Sequence, residues 1–330
     1  MFLLIFGLVL VPMFVSAQEE EFKTINGLKY YKTMFSAVSP ETLLRIPMGK
    51  AENSVAGVDE DEEISTEGVP WAFRAADGEN VWILDSLNGA IKLFSKNGNV
   101  EKKIDISAYG KRINDMAVTA DSKLFVLLDS VEGTLTLIKQ SSEKIFSVKG
   151  FVAARAVEFT PDGSILVNSP MDGGVIAVDN SGQRTGKFDA DQSLSLFQDT
   201  GKNLIGIEID GTSARLFSRT PEGRKHLADF DYKDAPEGVT YAGGEILGFD
   251  KAGNIYLELV ACNETGYIYR ERLIRCKADG TGASHIDVFT MPYMAPELSR
   301  RRIVTPEGKI IGFHVDENDG NYVLVSYSIP

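Results

Sequence analysis

The chain has 330 residues, 43% hydrophobic and 25% charged, which is ordinary globular material with enough apolar content for a large core. Length alone allows two domains, although closed all-β folds run this long as one unit. With 47 acidic against 34 basic residues the formal charge is −13, and no Lys/Arg-rich run reverses it locally, so nucleic acid and anionic membrane surfaces are excluded as partners.

Residues 1–17 are almost wholly apolar and end in Val15-Ser16-Ala17, small residues of the kind a signal peptidase reads; Glu19-Glu20-Glu21 stops the run. A membrane-spanning helix needs about 20 apolar residues, so the stretch is short for an anchor. No Lys or Arg precedes it, which keeps an uncleaved N-terminal anchor as the alternative, and no Cys follows to take a lipid. The sequence predicts a signal peptide over 1–17, a polar N-terminal extension over 18–40 and one folded unit over 41–330. The protein is expected to be secreted, periplasmic or extracellular, and monomeric, with no membrane contact after cleavage.

Thr42 to Ile46 reads as a short strand ended by Pro47, and Asp59-Glu60-Asp61-Glu62-Glu63 as a solvated acidic loop. Residues 68–98 then carry the clearest pattern in the chain. Strands are expected over Trp71 to Ala75, Val81 to Leu84 and Ala90 to Phe94, with an Asp77-Gly78 turn after the first. Asn88-Gly89 is expected to supply the positive φ angles of a tight hairpin, and Lys96-Asn97-Gly98 turns the chain toward a fourth strand, Val100 to Ile106.

Weaker copies of this meander follow. Aligned on the first turn, Asp77-Gly78, Asp121-Ser122, Asp162-Gly163, Thr200-Gly201, Ala252-Gly253 and Glu307-Gly308 stand 44, 41, 38, 52 and 55 residues apart. Four short strands per unit of about 40 residues is the signature of propeller blades. The longer intervals are read as insertions at residues 231–244 and 262–270. The sixth repeat ends after the strand Tyr322 to Tyr327 without an outer strand, and Leu43 to Ile46 is free to take that place. The predicted fold is all-β: a six-bladed propeller of four-stranded antiparallel blades, the last closed by an N-terminal strand, which removes the exposed edges.

Cys262 and Cys276 leave two readings open. A tight turn over Asn263 to Gly266 would put them at opposite ends of a hairpin as free thiols, whereas a broad loop would let them bond. Asn263-Glu264-Thr265 is a glycosylation sequon if the source is eukaryotic. His226, His285 and His314 fall in outer strands or at the end of a second strand, which excludes a three-histidine zinc centre and a Ser-His-Asp set. Asp316 to Gly320 has the wrong offsets for a calcium loop and reads as a hairpin turn.

The first repeat, with Pro70 before its first strand, the Asp77-Gly78 turn, Leu84-Asp85 ending the second strand and Asn88-Gly89, resembles a blade of the NHL type. The run 41–330 resembles the TolB-like group of six-bladed propellers. Glu67-Gly68-Val69-Pro70-Trp71 and Arg112-Ile113-Asn114-Asp115 are also similar to stretches of the calcium-dependent lactonases of the gluconolactonase type. That resemblance implies a metal ligand at Glu67 and substrate contacts at Arg112 and Asn114. It fails elsewhere: Arg155-Ala156-Val157 and Pro236-Glu237-Gly238 stand where an Asn ligand and a catalytic Asp belong. An Arg in place of an Asn ligand disfavours calcium.

In a propeller the first strand of each blade lines the channel, and the segments leading into those strands open on one face. They carry Glu67, Arg112 with Asn114 and Asp115, Arg155, Glu237, and Arg301 within the run Arg300-Arg301-Arg302. Such a ring of guanidinium groups can clamp a small anionic ligand or an acidic protein partner. Equally, the arginines and carboxylates of neighbouring blades can pair and hold the ring together. The functional expectation is a non-enzymatic, exported binding scaffold that uses this mouth face and no cofactor. The competing expectation is a divalent-metal-dependent hydrolase or lactonase with calcium.

Overall fold

The computed structural model describes residues 22–25, 28–31, 34, 36–56, 70, 72–110, 112–188, 194–199, 201–289, 300, 302–316 and 319–330. The expected elements at residues 1–17, in the acidic run 59–63, and at Glu67, Trp71 and Arg301 lie outside the described residues.

A hairpin of β1 (Phe22–Ile25) and β2 (Leu28–Tyr31) is followed by β3 (Glu41–Pro47). Blade one then comprises β4 (Phe73–Ala75), β5 (Val81–Asp85), β6 (Ala90–Phe94) and β7 (Val100–Asp105). Blade two comprises β8 (Ile113–Val118), β9 (Leu124–Asp129), β10 (Thr134–Lys139) and β11 (Lys144–Lys149). Blade three comprises β12 (Ala156–Phe159), β13 (Ile165–Ser169), β14 (Gly174–Val178) and β15 (Arg184–Phe188), and blade four β16 (Leu194–Gln198), β17 (Leu204–Asp210), β18 (Ser213–Thr220) and β19 (Gly223–Asp231). Blade five has β20 (Val239–Phe249), β21 (Ile255–Asn263), β22 (Ile268–Cys276) and β23 (Ser284–Asp287). Blade six has β24 (Arg302–Val304), β25 (Ile310–Asp316) and β26 (Asn321–Tyr327). Its fourth strand is β3, antiparallel to β26 with Leu44 opposite Leu324 and Ile46 opposite Tyr322. The six-bladed ring is thus closed by an N-terminal strand. Pro47 is the last residue of that strand, tolerated there because the outermost position needs no ladder donor.

The apolar runs of the second strands follow from burial on both faces. In β5, Trp82 and Leu84 pack toward Met116, Phe125 and Leu127 of blade two, while Val81 and Ile83 pack toward Phe313, Tyr322 and Leu324 of blade six. Alternate residues of one strand therefore serve two blade interfaces. The Trp82 ring meets Phe125 edge-on at 4.9 Å, and Phe73 meets Phe313 edge-on at 5.7 Å. A buried cluster of this kind lies between each pair of neighbouring blades, and together these make the core. Outer strands such as β11 and β15 carry the polar surface.

Several local expectations change. Only Gly89 of the Asn88-Gly89 pair is left-handed, at φ +63°. Asn88 keeps ordinary backbone angles and donates from its side chain to Gly49 O and Asp85 Oδ2. The region 231–244 is not wholly an insertion: β20 begins at Val239 and is simply long, absorbing register shifts between Tyr241 and Gly243 and between Ile246 and Gly248. Likewise 262–270 is the tip of the β21–β22 hairpin, with Gly266 N donating to Asn263 O at 2.9 Å. Within the expected extension, β2 pairs in parallel with β22 at Tyr30 and Ile268, so the N-terminal hairpin lies on blade five's outer side.

Candidate functional site

The six first strands (β4, β8, β12, β16, β20 and β24) run the same way, so their leading segments share one face and their exit turns share the other. We call these the mouth face and the turn face. At each exit one residue closes the turn through its backbone amide: Ala76, Thr119, Thr160, Asp199, Asp250 and Thr305. Two positions earlier stand Arg74, Ala117, Glu158, Phe197, Gly248 and Ile303. Three blades thus bring a large polar or aromatic side chain to one level of the channel.

These residues join a buried network. Arg74 Nη2 donates to Asp115 Oδ1 at 2.8 Å, and the other oxygen, Oδ2, accepts the Val157 amide at 2.8 Å. Val157 O in turn accepts Arg300 Nη2 at 2.9 Å, and Arg300 Nη1 donates to Glu158 Oε2. The guanidinium of Arg300 also lies over the Phe197 ring, 5.0 Å from its centroid. A first strand has no ladder partner on its channel side, so its backbone groups must find side chains there; Asp115 and Arg300 do this for Val157.

The network's charges are unevenly compensated. Burial depresses the Arg74 pKa; Asp115 only partly offsets this, and nearby Arg300 adds to the depression. For Arg300, burial works the same way, but Glu158 and Asp115 outweigh it and the net shift is upward. Arg74 Nε is buried without an acceptor among the described residues. Both carboxylates are used up: Asp115 by Arg74 and Val157 N, and Glu158 by Arg300 and by the Phe159 amide at 3.1 Å.

Above this floor, on the turn face, lies a cavity of about 390 Å³ to which all six first strands contribute. Arg74, Glu158 and Arg300 line its base. Its walls are mainly apolar, with Phe159, Phe197, Leu247, Phe249, Ile303 and Pro306 prominent. Phe197 and Phe249 meet edge-on at 6.2 Å. Lys251, Asp250 and Gln198 stand among its polar groups.

The residues expected at the mouth face separate into two kinds. Arg112, Arg155 and Glu237 are exposed there and form no ion pair with a described residue. Asn114 and Asp115 are buried: the Asn114 Oδ1 accepts the Ser130 amide at 2.9 Å, and Asp115 belongs to the channel network. No hydrogen bond or ion pair joins Arg112, Arg155 and Glu237 to one another among the described residues. In the arginine run, Arg300 enters the channel, while Arg302 is buried between blades five and six against Glu258 and Glu271. Sequence reading missed Arg74, Glu158 and Phe197. The available signal was their shared position, two residues before the turn-closing residue.

Glu67, the metal ligand that the lactonase resemblance implies, lies outside the described residues. The oxygens of Asn114 and Asp115 accept hydrogen bonds from the protein itself. No group of three or more metal-binding side chains occurs among the described residues.

No family profile and no curated protein matches this sequence. Solved structures do. A member of the DUF4221 family from Bacteroides vulgatus has 12% identity and a TM-score of 0.51, covering 89% of this chain and 99% of its own. A Bacteroides fragilis protein, assigned to export by name only, has 9% identity and a TM-score of 0.50, covering 87% and 94%. A catalytically inactive virginiamycin B lyase of Staphylococcus aureus, solved with quinupristin, has 11% identity and a TM-score of 0.49, covering 86% and 98%. This chain is a six-bladed β-propeller. At such identities the likeness speaks to fold alone.

Proposed function

We propose that this propeller is a non-enzymatic binding protein that holds a small molecule in the axial cavity on its turn face. The carrying observation is the cavity itself. Its volume lies within the range of small-molecule sites, its walls are apolar, and a few convergent polar groups sit at its base. The carboxylates at and beneath the cavity, Asp115, Glu158 and Asp250, all accept hydrogen bonds from the protein itself, which supports binding over catalysis. The test is a thermal-shift screen of small molecules against the wild type and Gln198→Trp, which places an indole at the cavity. A ligand of the cavity raises the melting temperature of the wild type by mass action and loses that effect in the variant. An identical rise in both proteins, or none in the wild type, would remove the cavity as the site.

The mouth face belongs to the same proposal as a second contact. Exposed Arg112 and Arg155 are suited to an anionic ligand or an acidic protein partner. We also propose export, on the apolar run of residues 1–17 and the name of the B. fragilis neighbour. No helix among the described residues is long and apolar enough to cross a membrane. Protein recovered from its native source is expected to begin at Gln18; intact Met1 would favour an anchor. The lactonase reading makes a separate forecast, a calcium-dependent rise in melting temperature, and its absence would dispose of that class.

A further inference from the structure

We infer that the axial cavity takes a compact amphipathic carboxylate: an apolar body, aromatic or branched, with one anionic oxygen-bearing head. The inference rests on the reading above that the cavity is a binding site, and adds the chemistry of what enters it.

The base of the cavity carries unmatched donors. At the base, two guanidinium groups, Arg74 and Arg300, face two carboxylates, Asp115 and Glu158, so the formal charge is balanced. The hydrogen bonding is not. Each carboxylate oxygen already has a partner: Arg74 and the Val157 amide for Asp115, and Arg300 and the Phe159 amide for Glu158. Arg74 donates through Nη1 to Phe73 O and through Nη2 to Asp115, and its Nε has no acceptor among the described residues. A guanidinium carries five N–H donors, and Arg74 spends two of them, so the base holds donors to spare.

At Arg74 the electrostatics point the same way, while Arg300 is already compensated by Glu158 and Asp115. Burial costs Arg74 more than Asp115 returns, and Arg300 adds repulsion. An added anion at the base would relieve this, whereas an added cation would sharpen it. A neutral acceptor such as an amide would satisfy a donor but leave the charge uncorrected. Arginine's forked geometry suits a carboxylate in particular. Above the head, Phe159, Phe197 and Phe249 give the body an apolar, partly aromatic wall. Lys251, beside the turn of blade five, also lines the cavity, but Asp250 stands next to it and Glu307 Oε1 lies 3.8 Å from its Nζ, so the anionic head is assigned to the arginines.

The test compares one body bearing three heads. The folded protein, with ring-labelled phenylalanine, is titrated with 3-phenylpropionate, 3-phenylpropionamide and 3-phenylpropylamine. The Phe197 and Phe249 signals are assigned through Phe197→Leu and Phe249→Leu. We expect the acid to move both rings and to bind roughly tenfold or more tighter than either analogue, about 1.4 kcal/mol. Higher salt should weaken the acid more than the amide. If the amide or the amine moves the same rings with equal or better affinity, the carboxylate class is overturned while the cavity stands as a binding site. If none of the three moves either ring, both inferences fall. The decisive comparison uses unaltered protein, so it does not depend on any channel variant folding.

Discussion

Arg300 and Glu158 are joined across the diameter of the ring: the first leads into blade six and the second lies in the inner strand of blade three. Neighbouring blades are held together by apolar clusters, but opposite blades have no such surface to share. This ion pair, with the bond from Arg300 to Val157 O, makes a polar strut through the channel. Arg300→Met leaves Glu158 partly buried without its counter-charge. The expected loss is about 3–5 kcal/mol in denaturant unfolding, because an uncompensated buried charge costs more than the pair contributes. The double variant Arg300→Met with Glu158→Gln should recover part of that loss; if both variants unfold at the wild-type midpoint, the strut is not structural.

Arg155 is the opposite case. Its side chain is exposed on the mouth face, and Asp115, a carboxylate of the neighbouring blade, is committed to Arg74. Arg155→Ala should change stability by no more than about 0.5 kcal/mol. A thermal melt checks this. A clear drop would show that Arg155 pairs in the fold, and the proposed anion contact at the mouth would be withdrawn.

Tyr322 is fully buried in the interface between blades six and one, stacked on Phe313 at 4.8 Å, with no hydrogen-bond partner for its hydroxyl among the described residues. Burial pushes its pKa well up. A buried hydroxyl without a partner costs free energy. Tyr322→Phe should therefore stabilise the protein, by roughly 1 kcal/mol, with no change in the slope of urea unfolding. A destabilised variant would reveal a partner for the hydroxyl.

The two thiols make a chemical prediction. In the β21–β22 hairpin Cys262 stands opposite Ile268 and Cys276 opposite Ile255, so the cysteines sit at its two ends, unbonded. Burial pushes the Cys276 thiol up to about 11 and that of Cys262 up as well. Since the thiolate is the reactive form, Cys276 should be silent to thiol reagents in the native protein near pH 8. Both should react in denaturant without prior reduction. Fewer than two reactive thiols in unreduced, denatured protein would contradict the free pair.

Acid should loosen the blade turns together. Asp121, bonded to Lys123 and to the Thr119 hydroxyl, has its carboxyl lowered from 3.8 to about 2. Asp162 is lowered through Lys202 and Thr160, and Asp179 through Ser181 and backbone amides. A carboxyl whose folded pKa lies below its unfolded value stabilises the protein fully above the unfolded value, and loses that contribution as pH falls through the folded one. The melting temperature should therefore be flat from neutral pH to about 5 and fall between about pH 4 and pH 2. Asp121→Asn should remove part of the neutral-pH stability and flatten part of that slope; an unchanged slope would show that Asp121 takes no part in it.

Much of this architecture is written locally. Short apolar runs bounded by Gly, Asp and Asn turns recur near 40 residues because each blade is one meander, and the missing outer strand of the sixth repeat makes ring closure by residues near 41–47 the economical solution. Ala90–Phe94 was legible to the residue, since both of its ends are set by turns within a few positions. Elsewhere tertiary packing overrides the local signals. Asn88 does without the left-handed angle and bonds Asp85 within its own turn and Gly49, which approaches only in the folded ring. The channel lay further out of reach. The two-residue offset of Arg74, Glu158 and Phe197 from their turns is present in the sequence. What those residues meet depends on curvature summed over six blades, which no single repeat encodes. Whether an arginine ends as an exposed contact, as Arg155 does, or as a strut, as Arg300 does, is decided by the strand that closure of the ring sets opposite it.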